Sequence, residues 1–510
     1  MNSSVRAVVV LLAVISALVA SPASAATPAD SSALRQAVTP AGILEHEQAF
    51  QAIADANGGT RASGTPGYDA SLAYVKAQLD ATGYFTTEVQ EFDFDFFQEL
   101  APAEFERVSP DPEVYALTDD FLTMEYSGSG DVTGELVPTN NIVIPPGPTA
   151  STSSSGCEPG DFTPASATEL QVALIQRGTC DFVVKAQNAE DAGYDAVVIF
   201  NEGQEGRQET LNGTLGGVQV TIPVVGTSFA VGEELYGLTQ SGEVVVRVAV
   251  TATSETRHTA NLLADTKTGR SDRTVVVGAH LDSVPEGEGI NDNGSGSASD
   301  LEVALQMAEL GIAPRNKVRF AWWGAEESGL IGSQFYVDSL TKRQLKDIAV
   351  NLNFDMVGSP NYVRFVYDGD ASDTESLGST GSGVVEDVFV DYFDSQGLAS
   401  EPTAFDGRSD YEAFINVGIP AGGLFTGAEG IKTAEEAAIY GGTAGTPYDP
   451  CYHQECDDID NLSTQALDEM SDAIAHATLV FAQTTSAVEG TAKGTAQGHQ
   501  SEFQGSHQRQ

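Results

Sequence analysis

The stretch Thr274–Leu310, "TVVVGAHLDSVPEGEGINDNGSGSASDLEVALQMAEL", decides the fold. Its first seven residues form an apolar run that ends at His280, the pattern of a strand buried on both faces. The middle, rich in glycine, serine and aspartate, has loop chemistry. The last ten residues place Leu301, Leu305 and Ala308 at helical spacing. Strand, loop and helix in that order make the repeating unit of an α/β domain with a parallel sheet.

The unit recurs downstream. "KVRFAWW" is a second strand and ends at "GAEE"; "IAVNLNF" is a third and ends at Asp355; "PAGGLFTG" is a fourth. Upstream, residues 41–95 read as helix, turn, helix and strand. "SLAYVKAQL" sets Leu72, Val75 and Leu79 on one helical face, "NGGTRASGTPGY" is dense in turn residues, and "FTTEVQEFDFDF" alternates like a strand. These pieces predict a three-layer αβα domain around a mostly parallel, mixed sheet. Between about 105 and 252 the character changes. Short strand-like runs such as "LQVALIQRG", "AVVIFN", "IPVVGT" and "VVVRVAV" alternate with Gly- and Ser-rich loops. One helix, "FVVKAQNAEDAG", has Phe182, Ala186 and Ala189 on one face. This block reads as a separate, small, β-rich module.

The chain has 510 residues, enough for two or three domains. With 73 acidic against 24 basic residues the formal charge is -49, which argues against nucleic acid and against anionic membrane surfaces as partners. It fits a strongly hydrated, soluble surface. The opening "MNSSVRAVVVLLAVISALVASPASA" has a basic start at Arg6, an apolar run from Ala7 to Val19 and the pattern Ala23-Ser24-Ala25, a secretory signal over 1–25. The chain is therefore expected to be secreted. Four cysteines allow three pairings, and the local ones, Cys157 with Cys180 and Cys451 with Cys456, are favoured. The tail from 487 to 510 is low in complexity.

In open α/β sheets ligands bind beyond the carboxyl ends of the strands. His280 and Asp282 lie at the first such end, Asp292 in the loop "GINDNGSG", Glu326 and Glu327 at the second and Asp355 at the third. His453 sits beside Tyr452 in "PYDPCYHQECDDID", inside the Cys451–Cys456 segment. Each has an ordinary structural role taken singly; an Asp before a glycine-rich turn is often a cap. Two imidazoles and three carboxylates at one sheet edge suit zinc, and one carboxylate could bridge two ions. Of Glu326 and Glu327, one can bind metal while the other stays free as a base. A metal-bound water has a pKa near roughly 7, so the chemistry is metal-assisted hydrolysis. "GSGSASD" lacks the flanks of a nucleophile elbow.

The motifs "GAHLDS", "GINDNGSG", "WWGAEESGLIGS", "NFDMVGS", "GRSDYEAF" and "CYHQECDD" resemble, in the same order, those of the secreted two-zinc aminopeptidases, the aminopeptidase Y and bacterial secreted leucyl aminopeptidase group. "LIQRGTCDFVVKAQNAEDAGYDAVVIFN" resembles a protease-associated domain. The resemblance implies a discontinuous zinc peptidase domain over 30–105 and 254–485, with the protease-associated domain inserted at 106–253. It implies two zinc ions, one on His280 and Asp355, the other on Glu327 and His453, with Asp292 bridging. Glu326 would be the general base, Asp282 would orient His280, Tyr452 would donate to the oxyanion, and Arg408 would lie near the substrate. Packing beside the disulfide is the alternative for Tyr452, and a salt bridge with Asp406 or Asp410 for Arg408. The Cys451–Cys456 bridge would restrict the loop that carries the last ligand. Asp457, Asp458 and Asp460 read as caps or solvated charge. Asp468 and Asp472, one helical turn apart, could join a calcium site, and Phe425 or Tyr440 could wall the substrate pocket.

The expected function is an exported exopeptidase acting on peptides with a free N-terminus, whose amine is drawn to an acidic cleft that includes Glu326 or Asp355. The alternatives are a carboxypeptidase-like or other zinc amidase of the same fold, a non-catalytic peptide-binding receptor, or a function carried by the middle module.

Overall fold

A computed structural model describes residues 30–489. The expected signal, 1–25, and the tail beyond 489 lie outside the described residues. The first residues assigned to that tail form a short helix, Ser486–Glu489, which carries Val488 into the core.

The quoted stretch folds as read. Strand Arg270–His280 leads through a loop into helix Gly296–Glu309. Parallel to this strand lie Asn316–Trp323 on one side and Ile348–Phe354 on the other, and Ala421–Phe425 pairs in parallel beyond the latter. Alternation of side chains puts Val275, Val277 and Trp322 in one hydrophobic cluster and Val276 and Trp323 in another, on opposite faces of the sheet. Helices Pro40–Ala56, Pro66–Thr82, Gly296–Glu309 and Thr464–Gln483 cover the first face, and Ile331–Ser339 and Tyr411–Asn416 the second. The result is a three-layer α/β domain, and continuous apolar strands are what burial on both faces requires.

Residues 105–252 pack around two further hydrophobic clusters. Four strands there, Gly130–Pro138, Gln171–Gln176, Ala196–Phe200 and Val224–Thr227, run parallel. Helix Phe182–Asp191 covers one face and Phe229–Thr239 the other, so the block is more helical than its strand-like runs suggest. Strands Phe85–Ser109 and Val245–Thr266 pair antiparallel along almost their whole lengths. Val245–Thr266 joins the parallel sheet at Leu262–Asp265 and the inserted block at Val245–Val250. A single sheet thus runs through both parts. Cys157–Cys180 and Cys451–Cys456 are both bridged, with Cα separations of 5.8 and 5.3 Å. Among the described residues no helix is long and apolar enough to cross a membrane.

Candidate metal centre

The parallel strands deliver their terminal residues to one edge. His280 is the last residue of its strand, Asp355 follows Phe354 directly, and Glu326 and Glu327 follow Trp323 by a short turn. Ala325, Met356 and His453 have left-handed φ values of 53°, 51° and 56°. Such backbone costs about 1–3 kcal/mol per residue and persists only where the surroundings dictate it. Here it sits beside Glu326, beside Asp355 and on His453 itself.

Asp292 lies at the centre. Its Oδ1 is 3.2 Å from His280 Nε2, and its Oδ2 is 3.1 Å from His453 Nε2. His280 Nε2 is also 3.2 Å from Asp355 Oδ1, and His453 Nε2 is 3.1 Å from Glu327 Oε2. Glu326 Oε2 stands 3.9 Å from His280 Nε2. The five candidate ligands therefore converge, with one carboxylate facing two imidazoles. Glu327 Oε1 is buried without a hydrogen-bond partner. Imidazole nitrogens and carboxylate oxygens at such separations are the donor set of a zinc site, and the residues fit it.

Burial together with the charges of Asp355 and Glu327 pushes the Glu326 carboxyl well up, against the pull of His280. Glu327 is pushed up to about 7 by burial and by Asp292, with His453 opposing. Burial would lower both imidazoles, but Asp355 and Glu326 around His280, and Glu327 around His453, hold them well above the ordinary value. Such a crowd of buried carboxylates is relieved either by protonation or by bound cations.

His280 Nδ1 donates to the backbone carbonyl of Asp282 at 3.0 Å, which leaves Nε2 free to act as a ligand. The Asp282 carboxylate, the expected orienting group, is 3.7 Å away and instead accepts from the backbone N–H of Glu326. The carbonyl two residues on reaches the ring first.

Tyr452 stacks on His453 with ring centres 3.8 Å apart, and its hydroxyl accepts from Arg408 Nη2 at 3.1 Å. Arg408 binds neither Asp406 nor Asp410 through its guanidinium. It forms a two-pronged pair with Glu429, which the chain brings across the cleft. A cavity of about 70 Å³ opens over the cluster, with Met356, Tyr367, Phe425 and Ala428 as its less polar walls. Phe425 therefore takes the expected place. Tyr440 does not, because its helix turns it toward Arg364 and Lys432. The Asp468–Asp472 pair forms no ion-holding group among the described residues; Asp472 pairs with Arg35 at 3.2 Å and Asp468 is exposed.

Two residues that matter here escaped the sequence reading. Asp457 is neither a cap nor solvated: it is 2% exposed. Its Oδ1 accepts from the N–H of Asn291 and its Oδ2 from the N–H of Asp292, both at 2.9 Å, and Asn461 Nδ2 donates to Oδ1 at 3.0 Å. The Asp292 segment is thus clamped to the disulfide loop. Gly287 permits the approach, since a Cβ there would lie 2.5 Å from the carbonyl oxygen of Gln454. Arg61, within the turn-rich stretch, is wholly buried and donates to the carbonyls of Leu281, Glu288 and Gly289, fixing the loop between His280 and Asp292. Buried Glu47 lies nearby, its own carboxyl pushed well up by burial against the pull of Arg61. The sole hint in the sequence was an arginine among glycines and threonines.

The sequence profile of Peptidase family M28 matches residues 261–478, and that of the PA domain matches 132–235. An aminopeptidase of Pseudomonas aeruginosa is 44% identical over 461 residues, 90% of this chain and 84% of that one. Leucine aminopeptidase 2 of Arthroderma otae is 39% identical over 426 residues, covering 83% and 80%. Among solved structures, an aminopeptidase from an Aneurinibacillus species superposes with a TM-score of 0.63 at 25% identity, covering 88% of this chain and 95% of that one. A zinc aminopeptidase from Bacillus subtilis gives 0.54 at 25% identity, covering 86% and 94%. With a relative this similar over nine-tenths of this chain, and with the strand ends converging on one ligand cluster, the chain belongs to Peptidase family M28 and is a metallo-aminopeptidase with an inserted PA domain.

Proposed function

We propose that the protein is an exported aminopeptidase that holds two zinc ions and releases the N-terminal residue of peptides, with Glu326 as the general base. The observation that carries this reading is the pair of contacts made by Asp292, one oxygen toward each imidazole. Two ligand sets share that carboxylate: His280 and Asp355 on one side, Glu327 and His453 on the other. Zinc, when bound, supplies Lewis acidity that polarises the scissile carbonyl and lowers the pKa of water.

The chain's own residues do the rest. Glu326, its carboxyl raised by burial and acidic neighbours, takes a proton from the attacking water and passes it to the leaving amine. Tyr452 accepts from Arg408, so its own O–H is free to point into the cleft and donate to the developing oxyanion. Met356 and Phe425 wall the space for the N-terminal side chain, and Asp355 attracts the free amine. Export is supported by the signal pattern over 1–25 and by two disulfides, which suit an oxidising compartment. We assign residues 30–105 and 254–485 to the peptidase domain and 106–253 to the insert; their hydrophobic clusters are separate, although Ala103 and Phe105 at the end of the first segment pack with the insert.

The test is hydrolysis of leucine p-nitroanilide and of N-acetylated peptides, before and after chelation, with zinc counted per chain. Glu326→Gln should lower kcat by about 10²–10⁴-fold while zinc stays bound. Undiminished turnover in that variant, or in the chelated protein, would overturn the mechanism; cleavage of N-acetylated peptides would overturn the N-terminal specificity.

A further inference from the structure

A second cavity, of about 180 Å³, lies between the metal-centre loops and the inserted module. One wall is Ser283–Pro285 with Ser328; the other is Phe96 and Glu99 from strand Phe85–Ser109 and Tyr126 from the insert. Glu327 lines both this cavity and the cleft over the cluster, so the two adjoin at that side chain. We propose that this second cavity receives the substrate residues that follow the scissile bond, and that it favours a lysine or arginine among them. The proposal rests on the aminopeptidase reading above.

The direction follows from the walls. The cleft on the Asp355 side of Glu327 is bounded by Met356 and Phe425 and suits the N-terminal side chain. A peptide seated there has its remaining chain leaving on the other side of Glu327, past Ser328 and Pro285. The selectivity follows from charge. Glu99, Glu125 and Glu286 line the cavity, and among the described residues no lysine or arginine does. Glu99 is held by the N–H of Ala103 and the hydroxyl of Thr123. Glu125 and Glu286 form no ion pair among the described residues. The half-buried Phe97 offers an apolar surface to the stem of a long cationic side chain, whose head then reaches the carboxylates, while Phe96, with Arg257 over its ring, and Tyr126 are buried and close the wall behind it. The strand wall is already in place, because Phe96 to Glu99 pair with Glu255 to Ala252 in the long antiparallel ribbon.

The experiment compares kcat/KM for the peptides Leu-Ala-X-Ala and Leu-Ala-Ala-X, with X as Lys, Ala or Glu, alongside leucine p-nitroanilide, which has no residue to place in the cavity. The expected result is a Lys-over-Glu preference of about tenfold or more at one position. It should shrink about fivefold in the Glu125→Gln/Glu286→Gln double variant, the size expected for half-exposed ion pairs. The ratio is taken within each protein, so a general loss of activity cancels. Two neutralised charges barely alter the field of a chain with net charge -49, so a change in ratio reports the local contacts. Equal rates for the Lys and Glu peptides, or a ratio unmoved in the variant, overturn the cavity's role. Failure to release leucine from any substrate, the anilide included, overturns the aminopeptidase reading instead.

Discussion

Replacing Asp457 with alanine removes the acceptor that fixes the backbone of Asn291 and Asp292. Both N–H groups donate to it at 2.9 Å in a buried setting. Burial and the nearby Asp449 push the Asp457 carboxyl up to about 7, so each bond is counted at an ordinary ~1 kcal/mol and the two together give ~2 kcal/mol of stability. The carboxylate of Asp292 then loses its fixed aim at His280 and His453. Loss of such a supporting contact lowers metal affinity by about 10–100-fold. Asp457→Asn should recover only part of this, because its amide keeps one acceptor oxygen and turns an NH₂ toward the other N–H. The assay is zinc transfer to a chromophoric chelator at equilibrium, paired with urea unfolding followed by far-UV circular dichroism. Wild-type zinc affinity in Asp457→Ala, with stability unchanged to within about 0.5 kcal/mol, would refute the reasoning.

Three further outcomes follow from the same geometry. Cys451→Ser/Cys456→Ser opens a loop with a sequence separation of 5; it should cost about 2 kcal/mol and speed zinc loss, whereas Cys157→Ser/Cys180→Ser should leave zinc exchange unchanged. Arg61→Met leaves three buried carbonyls without their donor; urea unfolding should show a loss of about 3 kcal/mol. Burial and the nearby Arg35 hold the His476 ring down to about 4 from 6.5. The folded state keeps it neutral while the unfolded chain takes up a proton, so its contribution is full above about pH 6.5 and is lost as pH falls toward 4. After allowance for partial exposure this amounts to roughly 2 kcal/mol. His476→Gln should flatten the stability profile in that window, measured as the difference between variant and wild type in urea midpoints at pH 7 and pH 4.

Much of the domain was legible because its signals are local. An apolar run such as Thr274–His280 names a buried strand, and the loop chemistry after it marks where polar side chains gather. The inserted block is β-rich, as its strand-like runs indicate, but its second helix left little trace, because "FAVGEELYGLT" gives little polar contrast; Phe229–Thr239 packs Val231 and Leu235 on its sheet. At the site, Arg408 was weighed against the aspartates next to it in sequence. Its partner, Glu429, belongs to a loop 21 positions away.

From the sequence alone came the strand–loop–helix units, the scarce histidines and carboxylates at strand ends, and the nearby cysteine pairs, because period and short-range spacing are properties of the chain itself. The tertiary structure decided what meets across distance. Asn291 and Asp457 are 166 positions apart, yet one hydrogen bond between them anchors the central carboxylate. Whether an aspartate is solvated or clamps a backbone depends on which surface closes over it, and that closure is set by packing between segments whose separation in the chain carries no record of their contact.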